Sequence, residues 1–271
     1  MSNVKTDNIK PNFIGIGSQR AGTTWLYNCL IEHPDIFMPS KKELHFFDLG
    51  YDKGIDWYLS NFATHNNEKM VGEITPNYYQ HPQALERIAA FNKQVKIIYI
   101  VRNPIDRAHS HYKLFLQSHF KGKSFSEIIK TNKNIIDLGL QAKHLQRMYE
   151  LFDHKNILTL LYDDLCANPE LLLQSVYKFL EIDGDFKTSA LHKRINRVVL
   201  PNLQSYLVKL KLNWLIVLVK KSFIAEPIKS WLSPKHYKNI EKSDKDYLQN
   251  IFASDIANLE QFINRDLSHW K

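Results

Sequence analysis

Apolar residues fall along this chain in two rhythms. Short runs rich in Ile, Val and Leu occupy residues 13–16, 70–74, 96–101 and 157–162. Runs of that length without polar alternation predict strands covered on both faces. Between them the period lengthens. Trp25, Leu26, Cys29 and Leu30 recur at helical spacing. Segments 82–91 and 104–116 each open with proline, whose fixed φ and missing N–H suit a first helical turn. Asn103 before Pro104, with Asp106 three residues on, predicts a helix start capped by a side chain. Residues 122–155 read as a helical excursion with polar edges. In 246–263 the apolar positions Leu248, Ile251, Phe252, Ile256, Leu259 and Phe262 predict an amphipathic helix.

Strands alternating with helices predict an α/β fold: a central parallel sheet flanked by helices, with right-handed crossovers. We expect one domain over residues 1–271, with its ligand beyond the carboxyl ends of the strands.

The 44% hydrophobic and 24% charged fractions are those of an ordinary globular protein, so the bulk numbers add only the charge. A formal net charge of +8 favours an anionic ligand or an anionic surface. The basic residues form no finger, zipper or homeodomain pattern, so no nucleic-acid partner is expected. Cys29 and Cys166, the two cysteines, both sit in apolar segments and are expected as buried, reduced thiols. The opening MSNVKTDNIKP has no apolar signal core, and the longest apolar run, 214–219, is far short of the roughly 20 residues that span a bilayer. A cytoplasmic protein is expected. Residues 203–231 interleave lysines with Leu, Val, Ile and Trp. They read either as a core-facing helical pair with snorkelling lysines or as a basic amphipathic surface making peripheral membrane contact.

Two blocks carry candidate chemistry. The first, NFIGIGSQRAGTTWLYNC at 12–29, reads as strand, turn and helix start. Its spacing Gly17-x-x-x-x-Gly22 is that of a phosphate-binding loop, whose amides meet the positive end of a helix. Thr23 and Thr24 follow where a nucleoside triphosphatase carries Lys and then Ser or Thr. The loop therefore suits a phosphate but lacks the side chain that spans β- and γ-phosphates. The second block, KIIYIVRNPIDRAHSHY at 96–112, puts Arg102 at a strand end and Ser110 about two turns into the next helix. Arginine offers phosphate oxygens a planar donor fork, though a strand-end salt bridge would use the same residue.

Together the blocks resemble the nucleotide-binding signatures of sulfotransferases that use 3′-phosphoadenosine 5′-phosphosulfate (PAPS). KKELHFFD (41–48), GIDWYL (54–59) and GEITPNYY (72–79) look like segments of glycan sulfotransferases and their bacterial relatives. LYDDL (161–165) with Pro169, and RDLSHW (265–270), look like later family segments. The resemblance implies a P-loop-like three-layer fold and a donor that needs no metal. It implies that Arg20, Ala21, Gly22, Thr23, Thr24 and Trp25 cradle the 5′-phosphosulfate and that Arg102 and Ser110 hold the 3′-phosphate. PAP (3′-phosphoadenosine 5′-phosphate) is then the product. Asn196 and Arg197, within a basic stretch, match a cofactor-closing clamp or form a solvated loop.

By the same resemblance Glu43 is the base that takes the acceptor's proton, its pKa raised by a partly dry cleft; alone, it reads as a solvated partner of Lys41 and Lys42. His45 is the rival base or a packed histidine. Arg20 stands where many members have Lys and is expected to stabilise charge on the leaving phosphate. Ile74 stands where some glycan enzymes have a lysine, whose role is absent or moved to Lys41 or Lys42. Trp57 and Tyr58 line an acceptor cleft or belong to the core. His109 and His111 fall on different helix faces, and no metal is expected. The implied activity is sulfuryl transfer to an acceptor hydroxyl of a saccharide or glycolipid, or O- or N-sulfation of a small natural product. A P-loop small-molecule kinase and a non-catalytic membrane- or polyanion-binding protein are the rival classes.

Overall fold

A parallel sheet in the order β2-β3-β1-β4-β5 organises the chain. Its strands are β1 (Phe13–Gly17), β2 (Ile36–Phe37), β3 (Met70–Ile74), β4 (Lys96–Val101) and β5 (Ile157–Leu161). Every neighbouring pair runs parallel. The computed structural model describes residues 10–116, 118–192 and 240–271. Central β1 and its neighbour β3 are buried at every position. Phe13 lies opposite Gly72, where an added Cβ would meet Phe13 O at 2.2 Å, so this pairing requires glycine.

Alternate strand side chains feed two cores, as a doubly covered sheet demands. Ile14, Ile16, Ile97 and Tyr99 join one core with α3 (Pro82–Phe91), α4 (Pro104–Phe115), α5 (Phe125–Thr131), α6 (Lys133–Asp137) and α7 (Gln141–Leu151). Phe13, Ile98 and Ile100 join the other with α1 (Thr23–Leu30) and α9 (Pro169–Leu180). Between them come the short α2 (Ile55–Ser60) and α8 (Tyr162–Ala167), and helix Lys242–Ile263 (α10) packs against α4, α5 and α7. The result is three layers, helix on sheet on helix, with each fully buried Leu, Ile or Phe contributing about 1.5–3 kcal/mol.

The four predicted strands and the proline-opened helices are present. Asn103 Oδ1 caps α4 by accepting from Ile105 N at 2.9 Å and Asp106 N at 3.3 Å. Four details differ. β2, two residues long, is too short to carry a periodic signal. The fourth strand stops at Leu161 because Tyr162 begins α8. Helix α10 begins at Lys242, ahead of its apolar repeat, and Phe262 in that repeat is exposed. Cys29 is buried, but Cys166 is exposed, its position on the short α8 leaving the thiol at the surface.

Helix α8 is clasped by the segment after α10: Arg265 pairs with both carboxylate oxygens of Asp164 at 2.9 and 3.0 Å, and Trp270 Nε1 donates to Asp163 at 2.6 Å. The stretch 203–231 and the residues Asn196 and Arg197 lie outside the described residues. Among the described residues no helix is long and apolar enough to cross a membrane.

Candidate active site

The phosphate loop leaves β1 at Gly17, where an added Cβ would strike Tyr79 at 2.6 Å. Ser18 stitches the loop to β4, its N–H and its hydroxyl both donating to Ile100 O, at 2.8 and 2.9 Å. Ala21 N–H turns onto Ser18 O at 3.3 Å. Gly22 then enters the left-handed region at φ 92° and heads α1 without a side-chain cap. The first amides of a helix have no intrahelical acceptor. The first turn holds no acidic residue, so no carboxylate of the helix's own first turn offsets its positive end at Thr23 and Thr24.

Arg102, at the end of β4, is tied to this loop. Its Nη1 donates to Arg20 O at 2.7 Å, and its guanidinium stacks 4.3 Å above the Tyr162 ring. Its backbone is held on both sides by Gln141, which accepts from Arg102 N at 2.9 Å and donates to Arg102 O at 2.5 Å. Among the described residues no carboxylate pairs with Arg102, and its Nε is buried without a partner. Arg20, at φ 71°, sends Nε to Ser110 Oγ at 3.0 Å. The two blocks thus meet at Arg20. A capless helix head, two guanidinium groups and an orphaned donor fit a phosphate-bearing ligand. Tyr162 and Gln141 escaped the sequence reading; an aromatic residue at the end of the last strand run was the available signal.

Glu43 sits in a second cluster. Lys42 Nζ lies 2.9 Å from its Oε1 and His45 Nε2 lies 3.3 Å from its Oε2. On its other side His45 Nδ1 meets Asp48 Oδ2 at 2.9 Å, and Asn77 Nδ2 donates to the same oxygen at 2.8 Å. Asn77 Oδ1 in turn accepts from Gln19 Nε2 at 2.5 Å, linking this cluster to the phosphate loop. Burial pushes the Glu43 carboxyl up, but the hydrogen bond from His45 and the charge and hydrogen bond of Lys42 outweigh it and hold the carboxyl at about 2. The raised pKa expected for Glu43 is therefore corrected: its surroundings are partly buried but cationic. Hydrogen bonds to Asp48 and Glu43 hold the His45 imidazole up to about 9 against its burial. His45 is a cation at neutral pH, and between two carboxylates it has no site for another proton.

The other expected residues divide clearly. Lys42 is committed to Glu43, while Lys41 lies 6.0 Å from the Trp57 ring. Trp57 is half-buried with Lys53 at 4.2 Å over its ring; Tyr58 is fully buried and stacked on Phe46 at 4.6 Å, so it belongs to the core. Ile74 is buried against Gly15. His111 is buried between Phe115 and Phe120, and burial, with Arg107 and Arg20 nearby, pushes it down to about 3. His109 packs on Phe125 at 5.1 Å.

Comparison with known proteins bears on this geometry. A sulfotransferase structure from Alicyclobacillus acidocaldarius superposes with a TM-score of 0.74 over 97% of this chain and 99% of that one, at 24% identity, a likeness of fold. Among curated relatives, the membrane-associated sulfotransferase kil1 of Dictyostelium discoideum is 35% identical over 154 residues, 54% of this chain and 32% of kil1. Human heparan sulfate glucosamine 3-O-sulfotransferase 3B1 is 33% identical over 179 residues, 63% of this chain and 46% of that enzyme. The chain thus spans between 32% and 46% of the length of these two relatives. The family model described as the sulfotransferase domain matches residues 10–262, a span that includes every residue of the two clusters above. This chain belongs to the sulfotransferase domain family.

Proposed function

We propose that this chain transfers a sulfuryl group from PAPS to an acceptor hydroxyl on a saccharide. The observation that supports it most is the convergence on Arg20. Its carbonyl receives Arg102, its side chain reaches Ser110, and Thr23 stands where a kinase loop would place lysine. The donor supplies the sulfuryl group; the residues of this chain hold and polarise it. The amides of Thr23 and Thr24 and the Arg20 guanidinium stabilise charge developing on the departing phosphate. Arg102 and Ser110 hold the second phosphate of the nucleotide, and the Tyr162 ring keeps the Arg102 plane in place. By the family resemblance, Asn196 and Arg197 are further candidates to contact the nucleotide.

Glu43 is an ionised acceptor, oriented from both sides by Lys42 and His45, and takes the proton of the attacking hydroxyl. His45 and Asp48 orient it; they do not compete for the proton. The saccharide assignment draws on the heparan sulfate glucosamine activity named for the human relatives. Peripheral membrane contact through 203–231 belongs to the same proposal, tested by flotation with anionic liposomes; no binding at low salt overturns it.

Calorimetry with PAP and with Mg-ATP, followed by transfer of radiolabelled sulfate from PAPS to an unsulfated heparan-type polysaccharide, tests the reading. PAP binding and label transfer are expected. Binding of Mg-ATP in preference to PAP overturns the donor, and PAP binding without label transfer overturns the saccharide acceptor.

A further inference from the structure

Glu73 is a carboxyl group in the interior of β3, 3% exposed, and among the described residues no Lys, Arg or His pairs with it. Its partners are hydroxyls. Thr75 Oγ1 donates to Oε2 at 2.7 Å and Tyr78 Oη donates to Oε1 at 3.0 Å. A third hydroxyl, Tyr58 Oη, is buried against the same carboxyl without a hydrogen bond of its own. A buried carboxyl without a counter-ion is expensive, and an apolar residue of similar volume would fill the space more cheaply.

What the carboxyl provides is direction. Each hydroxyl has one proton, and both protons point inward at Glu73. Their oxygens are thereby left as acceptors facing outward, onto the segment that carries Glu43. Thr75 Oγ1 accepts from Leu44 N at 3.1 Å and His45 N at 3.4 Å. Tyr78 Oη accepts from Phe46 N at 2.9 Å and Phe47 N at 3.4 Å. Four consecutive backbone amides therefore hang on two hydroxyls whose polarity one carboxylate sets. Arg87 holds the following carbonyls, Phe47 O at 2.7 Å and Asp48 O at 3.4 Å, so the segment is fixed by donors on one side and acceptors on the other.

We propose that Glu73 is the positioning residue of the 43–48 segment, acting through the Thr75 and Tyr78 hydroxyls on the amides of residues 44–47 and so on the orientation of Glu43 and His45. The inference rests on the reading of Glu43 as the base only for its catalytic consequence; the loop geometry stands without it. Burial raises the Glu73 carboxyl to about 7, against the hydrogen bonds from Thr75 and Tyr78, so at pH 8 it is in the acceptor-only form.

The test uses the full chain at pH 8. In Glu73→Gln one oxygen becomes an NH2 donor of nearly the same shape, so one hydroxyl must turn its proton toward the amides it now serves. Amide exchange at residues 44–47 should rise about 10-fold or more, while α1 keeps wild-type protection. The His45 imidazole, followed by NMR, should fall from about 9 toward the ordinary value of about 6.5. Thr75→Val should raise exchange at Leu44 and His45 alone, Thr75→Ser should restore it, and Tyr78→Phe should affect Phe46 and Phe47. PAP affinity should be unchanged in all four. Wild-type exchange at 44–47 and wild-type His45 titration in Glu73→Gln overturn the proposal, as does Thr75→Ser behaving like Thr75→Val. Loss of loop protection in a chain that neither binds PAP nor transfers sulfate overturns the functional reading instead and leaves the dependence on Glu73 standing.

Discussion

Arg20 and Ser110, 90 residues apart in sequence, share a hydrogen bond of 3.0 Å from Nε to Oγ. The bond joins the loop after β1 to the second turn of α4, and Arg102 reinforces it by donating to the carbonyl of the same arginine. A backbone φ of 71° is the local cost of this arrangement, since it is a conformation that residues with a Cβ seldom adopt.

That geometry separates binding from stability at one position. Arg20→Gly removes a charged donor worth about 1.5–3 kcal/mol, so PAP affinity measured by calorimetry should fall about 10- to 100-fold. Glycine accepts a positive φ without the roughly 1 kcal/mol or more that arginine spends there, so the thermal midpoint should not fall. Ser110→Ala should weaken PAP binding about 5-fold. An Arg20→Gly chain that melts well below wild type would show that the side chain holds the fold as well as the ligand.

Glu43 and His45 predict a specific pH profile. With Glu43 held at about 2 and His45 at about 9, neither group titrates through the neutral range. Transfer should be level with respect to both between pH 5 and 8 and fall as pH rises through about 9, where His45 loses its proton. His45→Gln should lack that alkaline limb and bring an acid limb upward, as Glu43 relaxes toward its ordinary 4.5. Glu43→Gln should lower kcat by about 10²–10⁴-fold and leave PAP affinity within about 2-fold. The ion pair's contribution to stability is one interaction seen from two sides. It is lost below about 4.5 as pH falls toward 2, and above 6.5 as pH rises through 9.

How much of this was legible in the sequence depended on whether a property is local. β3 and β4 announced themselves because strands buried on both faces need unbroken apolar residues, and Asn103-Pro104 announced α4 because a cap is a contact within one turn. β2 did not, since two residues have no period. Gly17 and Gly22 were readable as a glycine-bearing turn because close packing on Tyr79 and a positive φ restrict residue type. The charge state of Glu43 was not. It is set by Lys42 and His45 against burial, and His45 is in turn held charged by Asp48, a contact that no spacing in the sequence encodes. Glu73 lay in plain sight, a carboxylate inside the apolar run MVGEI with Thr75 two residues further on, and its meaning appeared only once its hydroxyl partners were placed.

Glu73 also marks stability. Its carboxyl rises from 4.5 to about 7 through burial, so the folded chain binds more protons than the unfolded one between those values. The contribution is fully present below 4.5 and is lost as pH rises to about 7, about 3 kcal/mol in all. His111 runs the other way, its contribution present above 6.5 and lost as pH falls toward 3, so the wild-type curve alone mixes the two. The difference between Glu73→Gln and wild type in urea unfolding isolates the first: it should move in favour of the variant by about 3 kcal/mol between pH 4.5 and 8. A constant difference would mean that Glu73 does not titrate in the folded chain.

Gly22 combines two demands that mutagenesis can pull apart. Its φ of 92° disfavours any Cβ, and a Cβ there would also stand 2.6 Å from Leu165 Cδ2. The second obstacle is the tip of a flexible side chain and can yield; the first is backbone and cannot. Gly22→Ala should therefore destabilise the chain by about 1–3 kcal/mol, and the same substitution in a Leu165→Ala background should cost less but still about 1–2 kcal/mol. PAP affinity should follow the backbone part, because the amides of Thr23 and Thr24 are aimed by the turn at Gly22 and not by the packing of Leu165. If Leu165→Ala fully rescued Gly22→Ala in urea unfolding and in PAP binding, the loop would be set by packing against α8, and the left-handed turn would carry none of it.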